Sequence, residues 1–191
     1  SVGFHAAARG RAADGETVAV IGCGAVGIGA IAAAASRGAH VVAVDIDERK
    51  LALARAFGAA EAIDARGGDL TAALQALAGG DGPHLSIEAA GQPASFRACV
   101  DAACFAGRVV YIGYAKEPVA YETRRFVQKE LDVLGSRNAA RDDFAAAAAW
   151  IAADPARAMR LVSHVVPFAA AVDALRLWQE RPGEVGKILV E

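Results

Sequence analysis

Cysteine, methionine and tryptophan are scarce in this chain of 191 residues, and aromatic residues make up only 6% of it. The three cysteines, Cys23, Cys99 and Cys104, are odd in number and lack the paired spacing of metal ligands. This pattern argues against a fully paired disulfide scaffold and against a metal site in this sequence. It predicts reduced, apolar thiols, as in a cytoplasmic protein.

An excess of charge of one sign is also missing. The formal net charge is −2 and no basic stripe stands out, so nucleic acid is not an expected partner. The first residues, SVGFHAAARGRAADGE, lack the apolar region of a signal peptide. Thr17 to Ser36 is uncharged and as long as a membrane helix, but it starts like a strand and contains four glycines without G-x-x-x-G spacing. We therefore predict a globular protein without a membrane span.

What the sequence does contain centres on one stretch, Thr17 to Asp45. It begins with an apolar, β-branched run, TVAVI, whose composition is that of a strand buried on both faces. The glycine-rich turn GCGAVG follows at once, and an alanine-rich run that favours a helix continues to Ser36. A second buried strand, HVVAV, ends on Asp45. This order of strand, glycine turn, helix and strand with a terminal acid is typical of a dinucleotide site.

Each residue type in this stretch has a physical role in binding a dinucleotide. Gly22 permits the tight turn, Gly24 leaves room for a pyrophosphate, and Gly27 lets the helix pack closely on the strands. The first N–H groups of the helix offer partial positive charge to the phosphates. Asp45 can accept hydrogen bonds from both hydroxyls of adenosine ribose, which favours NAD over NADP. A methyltransferase is the alternative, but its ligand, S-adenosylmethionine, has no pyrophosphate that requires Gly27.

Strands and helices alternate along the chain, which predicts a parallel sheet with right-handed crossovers. We expect an α/β, doubly wound Rossmann fold with six parallel strands in the order 3-2-1-4-5-6 and a ligand where the order reverses. The predicted domains are a lead-in helix and turn over 1–16, the Rossmann domain over 17–161, and a segment of different character over 162–191.

Six segments spread along nearly the whole chain carry a family resemblance: SVGFHAAARG, GETVAVIGCGAVG, VDIDERKLALARAFGA, SIEAAGQP, GRVVYIG and GEVGKILVE. Together they resemble the coenzyme-binding portion of the zinc-dependent medium-chain dehydrogenase/reductase family. The opening SVG-x-HA is similar to sorbitol-type members. FVQKELDVLGSRNAARDDF is similar to bacterial members that oxidise the 5-hydroxyl of hexonates such as gulonate or galactonate.

The resemblance implies which residues contact the cofactor. They are Gly22, Gly24, Ala25, Val26 and Gly27 at the pyrophosphate, Asp45 at the adenosine ribose, Ala89, Ala90 and Gly91 in the turn against that ribose, Ile112, Gly113, Tyr114, Gly135, Ser136 and Arg137 beside the nicotinamide, and Lys187 near the pyrophosphate. Arg49 or Lys50 corresponds to a residue beside the adenine, although a solvated helix face explains both charges equally well. Lys187 is interpreted either as a cofactor contact or as surface charge, and Tyr114 either as a cofactor contact or as a loop anchor.

The resemblance also implies what this sequence leaves out. The family's catalytic zinc ligands, its G-H-E motif and its structural-zinc cysteines lie in an amino-terminal, GroES-like domain, and none of these motifs occurs here. The segment from Phe168 to Glu191 resembles the return of the chain into that domain. We therefore predict a fragment without catalytic residues, which binds NAD(H) but needs the missing zinc domain for turnover.

Function and assembly follow from the same resemblance. The whole enzyme would transfer hydride between a small secondary alcohol, a polyol or sugar acid, and NAD. In the family the last strand of the sheet, here Leu131 to Gly135, pairs two subunits, so we expect a homo-oligomer. A stand-alone regulatory module that senses NAD(H) is the alternative, because one fold serves many functions.

Overall fold

A six-stranded parallel sheet lies in the first of the two compact units into which the chain divides, 1–147 and 148–191. The computed structural model describes residues 1–181 and 183–191 in full. The strands are β1 Thr17–Ile21, β2 His40–Asp45, β3 Glu61–Asp64, β4 Leu85–Glu88, β5 Arg108–Tyr111 and β6 Asp132–Gly135. Their order is β3-β2-β1-β4-β5-β6, and each neighbouring pair is parallel. The predicted Rossmann arrangement is confirmed.

Helices connect successive strands, as the alternating pattern predicts. The helices of this part of the chain are α1 Val2–Arg9, α2 Ala25–Ala35, α3 Glu48–Ala56, α4 Leu70–Leu77, α5 Pro93–Ala102, α6 Arg124–Gln128 and α7 Arg141–Ala153. The sequence also predicts Asp47 as an N-cap, and this is confirmed, because Asp47 caps α3 by accepting a hydrogen bond from the N–H of Arg49 at 2.9 Å. Gly58 follows α3 with φ of +111°, the left-handed conformation expected there.

The core of the sheet comes from the central strands. Val20 of β1 pairs in register with Ala43 of β2 and Ile87 of β4, and all three side chains are buried. The central strands are covered on both faces, which explains why their sequences are continuous apolar runs rather than alternating ones. The edge strand β6 differs, because Asp132, Val133 and Gly135 are exposed.

Two strands are shorter than the sequence predicts. The sequence predicts one strand from Leu85 to Gly91 and another from Gly107 to Gly113, but the observed strands end at Glu88 and Tyr111, and turns follow them. Gly91 has φ of +71°, a left-handed conformation that leaves the ladder of a strand. Each apolar run is therefore longer than the strand it contains. The residues after β4 and β5 form turns, which can contribute to a site.

The second unit, 148–191, contains the end of α7 and a smaller set of elements. They are α8 Pro155–Met159, β7 Val162–Val166, a 3₁₀-helix Phe168–Ala170, α9 Ala171–Glu180, a 3₁₀-helix Pro182–Glu184 and β8 Lys187–Val190. The strands β7 and β8 pair in parallel. The sequence predicts no helix between α7 and β7, yet the short helix α8 forms there, with Asp154 as its cap and Pro155 as its first residue.

Apolar side chains of this second unit are largely exposed. Among its described residues only Ala174 is buried, at 7% exposure. Val172, Leu175 and Trp178 are each more than half exposed and recur at the spacing of one helix face of α9. None of the helices formed by the described residues is long and apolar enough to cross a membrane.

Candidate functional site

The glycine-rich turn between β1 and α2 lies directly against the turn that follows β4. Gly22 has φ of +101°, and its N–H donates to the carbonyl oxygen of Val44 at 2.8 Å. A Cβ atom added to Gly22 would lie 2.7 Å from the backbone nitrogen of Ala90, closer than real side chains approach. Gly22 is therefore required both by its own conformation and by the backbone of the neighbouring turn.

Gly24 and Gly27 differ in the space around them. Gly24 is exposed, is the N-cap of α2 with an ordinary φ of −68°, and an added Cβ would meet no atom of the described residues within 4 Å. A Cβ on Gly27 would overlap the carbonyl oxygen of Gly22 and lie 2.9 Å from its carbonyl carbon. The first turn of α2 carries no acidic residue, so an anion above Gly24 would meet the positive end of the helix dipole without a competing carboxylate.

Asp45, at the end of β2, is tied to this glycine-rich turn. Its Oδ2 accepts a hydrogen bond from the N–H of Cys23 at 2.7 Å, and its Oδ1 accepts from Ile46 and Asp47 at 2.8 and 3.0 Å. A carboxylate has roughly four lone-pair sites, so about one remains for a ligand hydroxyl. Asp45 thus shapes the turn as well as presenting a negative charge beside it, a structural role that the sequence did not reveal.

Cys23 is buried beneath the same turn. Its thiol lies 3.6 Å from the carbonyl oxygen of Val44, to which it donates. Burial, with the nearby charge of Asp45 as a smaller cause, raises the pKa of Cys23 to about 12. The thiol therefore stays protonated near neutral pH and is not a nucleophile there.

Two arginines near the ends of β2 and β3 are held by carboxylates. Nη2 of Arg49 donates to Asp47 at 2.9 Å and its Nε at 3.2 Å, and the hydrogen bond to Arg49 lowers the pKa of Asp47. In the same way Arg66 binds Asp64, and the pKa of Asp64 is lowered to about 2. Any phosphate that approached these arginines would compete with a carboxylate already bound to each of them.

A cleft of about 290 Å³ opens within the first unit, at the edge where β4, β5 and β6 end. It is lined by Val2, Val26, Ala89, Ile112, Gly113, Tyr114, Ser136, Arg137 and Asn138. Seven of these nine residues belong to the set predicted from sequence. They meet although they are far apart in the chain, because the carboxyl ends of parallel strands lie at one edge of the sheet.

The remaining predicted residues lie elsewhere. Gly22, Gly24, Ala25, Gly27, Ala90 and Gly91 form the turns next to the cleft-lining residues, and Asp45, Arg49 and Lys50 lie at the end of β2 and in α3. Lys187 begins β8 in the second unit, and its contact with a cofactor stays a prediction. Gly135 ends β6, immediately before Ser136.

Sequence reasoning missed three residues of this region. Val2 lines the cleft because α1 packs on α2, where a Cβ added to Gly3 would lie 2.6 Å from the carbonyl oxygen of Val26. Asn138 also lines the cleft, with φ of +59°, a conformation that asparagine tolerates better than most residues. Glu88 is fully buried at the end of β4, and an acid within an apolar strand was the available signal.

A metal centre is not formed by the part of the chain that the structure describes. Within residues 1–181 and 183–191, no group of three or more histidine, cysteine, aspartate or glutamate side chains could hold a metal ion.

Comparison with known proteins gives a consistent result. The sequence profile of the family "Zinc-binding dehydrogenase" matches residues 25–153. The chain is 33% identical to D-xylulose reductase of Scheffersomyces stipitis, over 100% of this chain and 55% of that protein. It is 31% identical to L-galactonate-5-dehydrogenase of Escherichia coli, over 91% of this chain and 51% of that protein. The crystal structure of galactitol-1-phosphate dehydrogenase from Escherichia coli has a TM-score of 0.88 and 26% identity, over 99% of this chain and 57% of that one.

The chain spans about half the length of the curated relatives it matches. The match to the family profile nevertheless covers more than half of the chain, and it contains α2 and the strands β2 to β6. The chain therefore belongs to the zinc-binding dehydrogenase family.

Proposed function

We propose that this chain is the NAD(H)-binding portion of a zinc-type dehydrogenase that transfers hydride between a secondary alcohol and NAD. The observation that carries the proposal is the link between Asp45 and the glycine-rich turn through the N–H of Cys23. It holds an acid suited to a ribose and a turn suited to a pyrophosphate as one unit at the end of the sheet. The adenosine half of the cofactor needs both.

The chain's own residues would bind and orient the cofactor. Backbone N–H groups at Gly24, Ala25 and Val26 would hold the pyrophosphate over the start of α2. The turn Ala89–Gly91 would lie against the adenosine ribose, and the cleft between Val26 and Tyr114 would take the nicotinamide and keep water from it. When bound, NAD would accept hydride from the alcohol, and NADH would donate it in the reverse direction.

The substrate proposed for the whole enzyme is a polyol or a sugar acid. The support is the similarity to D-xylulose reductase and L-galactonate-5-dehydrogenase, together with the sorbitol-type segment SVGFHA at the start of the chain. The zinc that would polarise the alcohol is proposed to lie in a part of the enzyme outside this chain, since the described residues form no metal centre.

Assembly is proposed from the family resemblance, and location from the cysteines. Strand β6 has one unpaired edge in the described sheet, and Val133 on it is 41% exposed, which supports pairing of two copies of the chain along this edge. The exposed apolar face of α9 supports contact of 162–191 with the zinc domain. The reduced thiols support a cytoplasmic location.

The proposal is tested by titrating NAD, NADH and S-adenosylmethionine into the chain in a calorimeter. We expect saturable binding of NAD and NADH, and no heat from S-adenosylmethionine. The same chain should not oxidise polyols or hexonates, whereas the longer protein that includes a zinc domain should. If the chain binds S-adenosylmethionine but not NAD, the proposal that NAD is the cofactor is refuted. If a longer protein binds NAD but shows no turnover, the result favours the regulatory module that senses NAD(H).

A further inference from the structure

We infer that Glu88 is a positioning residue of the cofactor site: its buried carboxyl group holds together the two turns that follow β4 and β5. The inference rests on the proposed binding of NAD. Glu88 does not line the cleft, and its side chain is fully buried. It would therefore act through other residues rather than by touching the cofactor.

One carboxyl oxygen of Glu88 sets the shape of the turn after β4. Oε1 accepts hydrogen bonds from the N–H groups of Ala90 and Gly91, at 2.9 and 2.7 Å, and from Oγ of Ser95 at 2.6 Å. Two consecutive backbone N–H groups thus point at a single oxygen, and Gly91 then takes a positive φ of +71°, which glycine adopts at little cost. The turn that would support the adenosine ribose is thus fixed by this one side chain.

The backbone carbonyl oxygen and the second carboxyl oxygen of Glu88 fix the distance between the turn after β4 and the turn after β5. The N–H groups of Ile112 and Gly113 donate to its backbone carbonyl oxygen at 2.9 and 3.2 Å. A Cβ added to Gly113 would overlap Oε2 of Glu88 and lie 2.7 Å from the nitrogen of Gly91. The side chain of Glu88 therefore fills the space between the two turns, and each turn contributes to the lining of the cleft.

The second carboxyl oxygen indicates that packing alone does not account for Glu88. Oε2 is buried and has no hydrogen-bond partner among the residues that the structure describes. A buried acceptor without a donor is destabilising, and such groups are uncommon in folded proteins. An acid at this buried position is therefore better explained by the hydrogen bonds that it accepts from the turn.

The test compares Glu88→Ala with Glu88→Gln in NAD titrations of the whole chain. Alanine removes the acceptor of three hydrogen bonds, and the turn is expected to move, which should raise the Kd for NAD by about tenfold to a hundredfold. Glutamine keeps an oxygen that can occupy the place of Oε1, so its Kd should stay within about threefold of the unmodified chain.

A matched control separates positioning from loss of stability. Val109→Ala truncates a fully buried side chain of β5, outside the cleft lining, and should lower the melting temperature without changing the Kd for NAD. Titrations are run at a temperature where near-ultraviolet circular dichroism shows every variant folded. If Glu88→Ala does not fold, Ser95→Ala removes one donor to Oε1 and is expected to raise the Kd by about fivefold to tenfold, more than the change allowed for Glu88→Gln.

The outcomes are distinct. Unchanged NAD affinity in the folded Glu88→Ala or Ser95→Ala variant would overturn the inference. So would an equal loss of affinity in Val109→Ala at a similar drop in melting temperature, because the effect would then follow stability. Failure of the unmodified chain to bind NAD would instead refute the proposed function, independently of Glu88.

Discussion

Replacing Gly24 or Gly27 by valine should separate binding of the cofactor from stability of the fold. Both residues belong to the same turn and receive the same new side chain, so each variant is the control for the other. Gly24 has open space where its Cβ would be, whereas a Cβ on Gly27 would overlap the carbonyl oxygen of Gly22. A pyrophosphate, in the proposed complex, would occupy the space above Gly24.

The expected magnitudes follow from these surroundings. At Gly27 the obstacle is backbone, which cannot rotate away, so overpacking should lower the free energy of unfolding by about 1–3 kcal/mol. For a chain of this size that corresponds to a fall in melting temperature of about 2–12 °C. At Gly24 the fold should be unaffected, but loss of one or two charge-assisted hydrogen bonds to phosphate, worth about 1.5–3 kcal/mol each, should weaken NAD binding at least tenfold.

Differential scanning calorimetry and titration calorimetry with NAD measure the two effects on the same samples. Gly24→Val should have the melting temperature of the unmodified chain and bind NAD poorly or not at all. Gly27→Val should have a lower melting temperature than the unmodified chain. Unimpaired NAD binding by Gly24→Val would show that the pyrophosphate does not lie above Gly24, and unchanged melting of Gly27→Val would show that the backbone around Gly22 can adjust without cost.

Three further predictions concern the ribose acid, the buried thiol and the second unit. Asp45→Ser should weaken the binding of NAD by about tenfold. It should strengthen the binding of NADP, because the carboxylate that repels a 2′-phosphate is removed. Ellman's reagent at pH 8 should label the partly exposed Cys104 and spare Cys23, whose thiolate is rare because burial raises its pKa to about 12. Amide hydrogens of Lys187–Val190 should exchange faster than those of Val18–Ile21, since apolar burial is sparse in 148–191.

Each of these has an outcome that contradicts it. If Asp45→Ser leaves the ratio of NADP affinity to NAD affinity unchanged, Asp45 does not contact the ribose. Labelling of Cys23 in the folded chain as fast as after unfolding in urea would disprove its burial. Equal exchange protection of both strands would show that 148–191 is stabilised by contacts other than apolar burial.

The topology of the sheet was predictable because its signals are local. The apolar runs TVAVI and HVVAV, the cap at Asp47 and the glycine at 58 each mark an element boundary without knowledge of the rest of the fold. Once the strands are parallel, the ends of β4, β5 and β6 must meet, which places most of the cleft-lining residues at one edge. The ends of β4 and β5 were less predictable, because apolar composition continues past Glu88 and Tyr111 into the turns.

The residues that sequence reasoning missed depend on contacts between distant segments. Val2 reaches the cleft because Gly3 allows α1 to approach α2, and nothing in the local pattern of α1 reports that contact. The position of Asn138 in the cleft depends on its own φ of +59°, which it adopts just after β6. In Asp45 and Glu88 the sequence does show a charge at a strand end, but not that each carboxylate accepts backbone N–H groups and so shapes a turn.

Backbone contacts link the three turns in sequence across the sheet. The turn of Gly22 touches Ala90, an added Cβ on Gly91 would lie 3.0 Å from the carbonyl oxygen of Tyr114, and one on Gly113 would overlap the Glu88 side chain. Displacement of any one turn must therefore move its neighbour, because such contacts leave no room for independent adjustment. Gly24 does not take part in these contacts. Glycine occurs in this region for two physical reasons, close backbone packing between turns and open space for a ligand, and substitution at Gly24 isolates the second from the first.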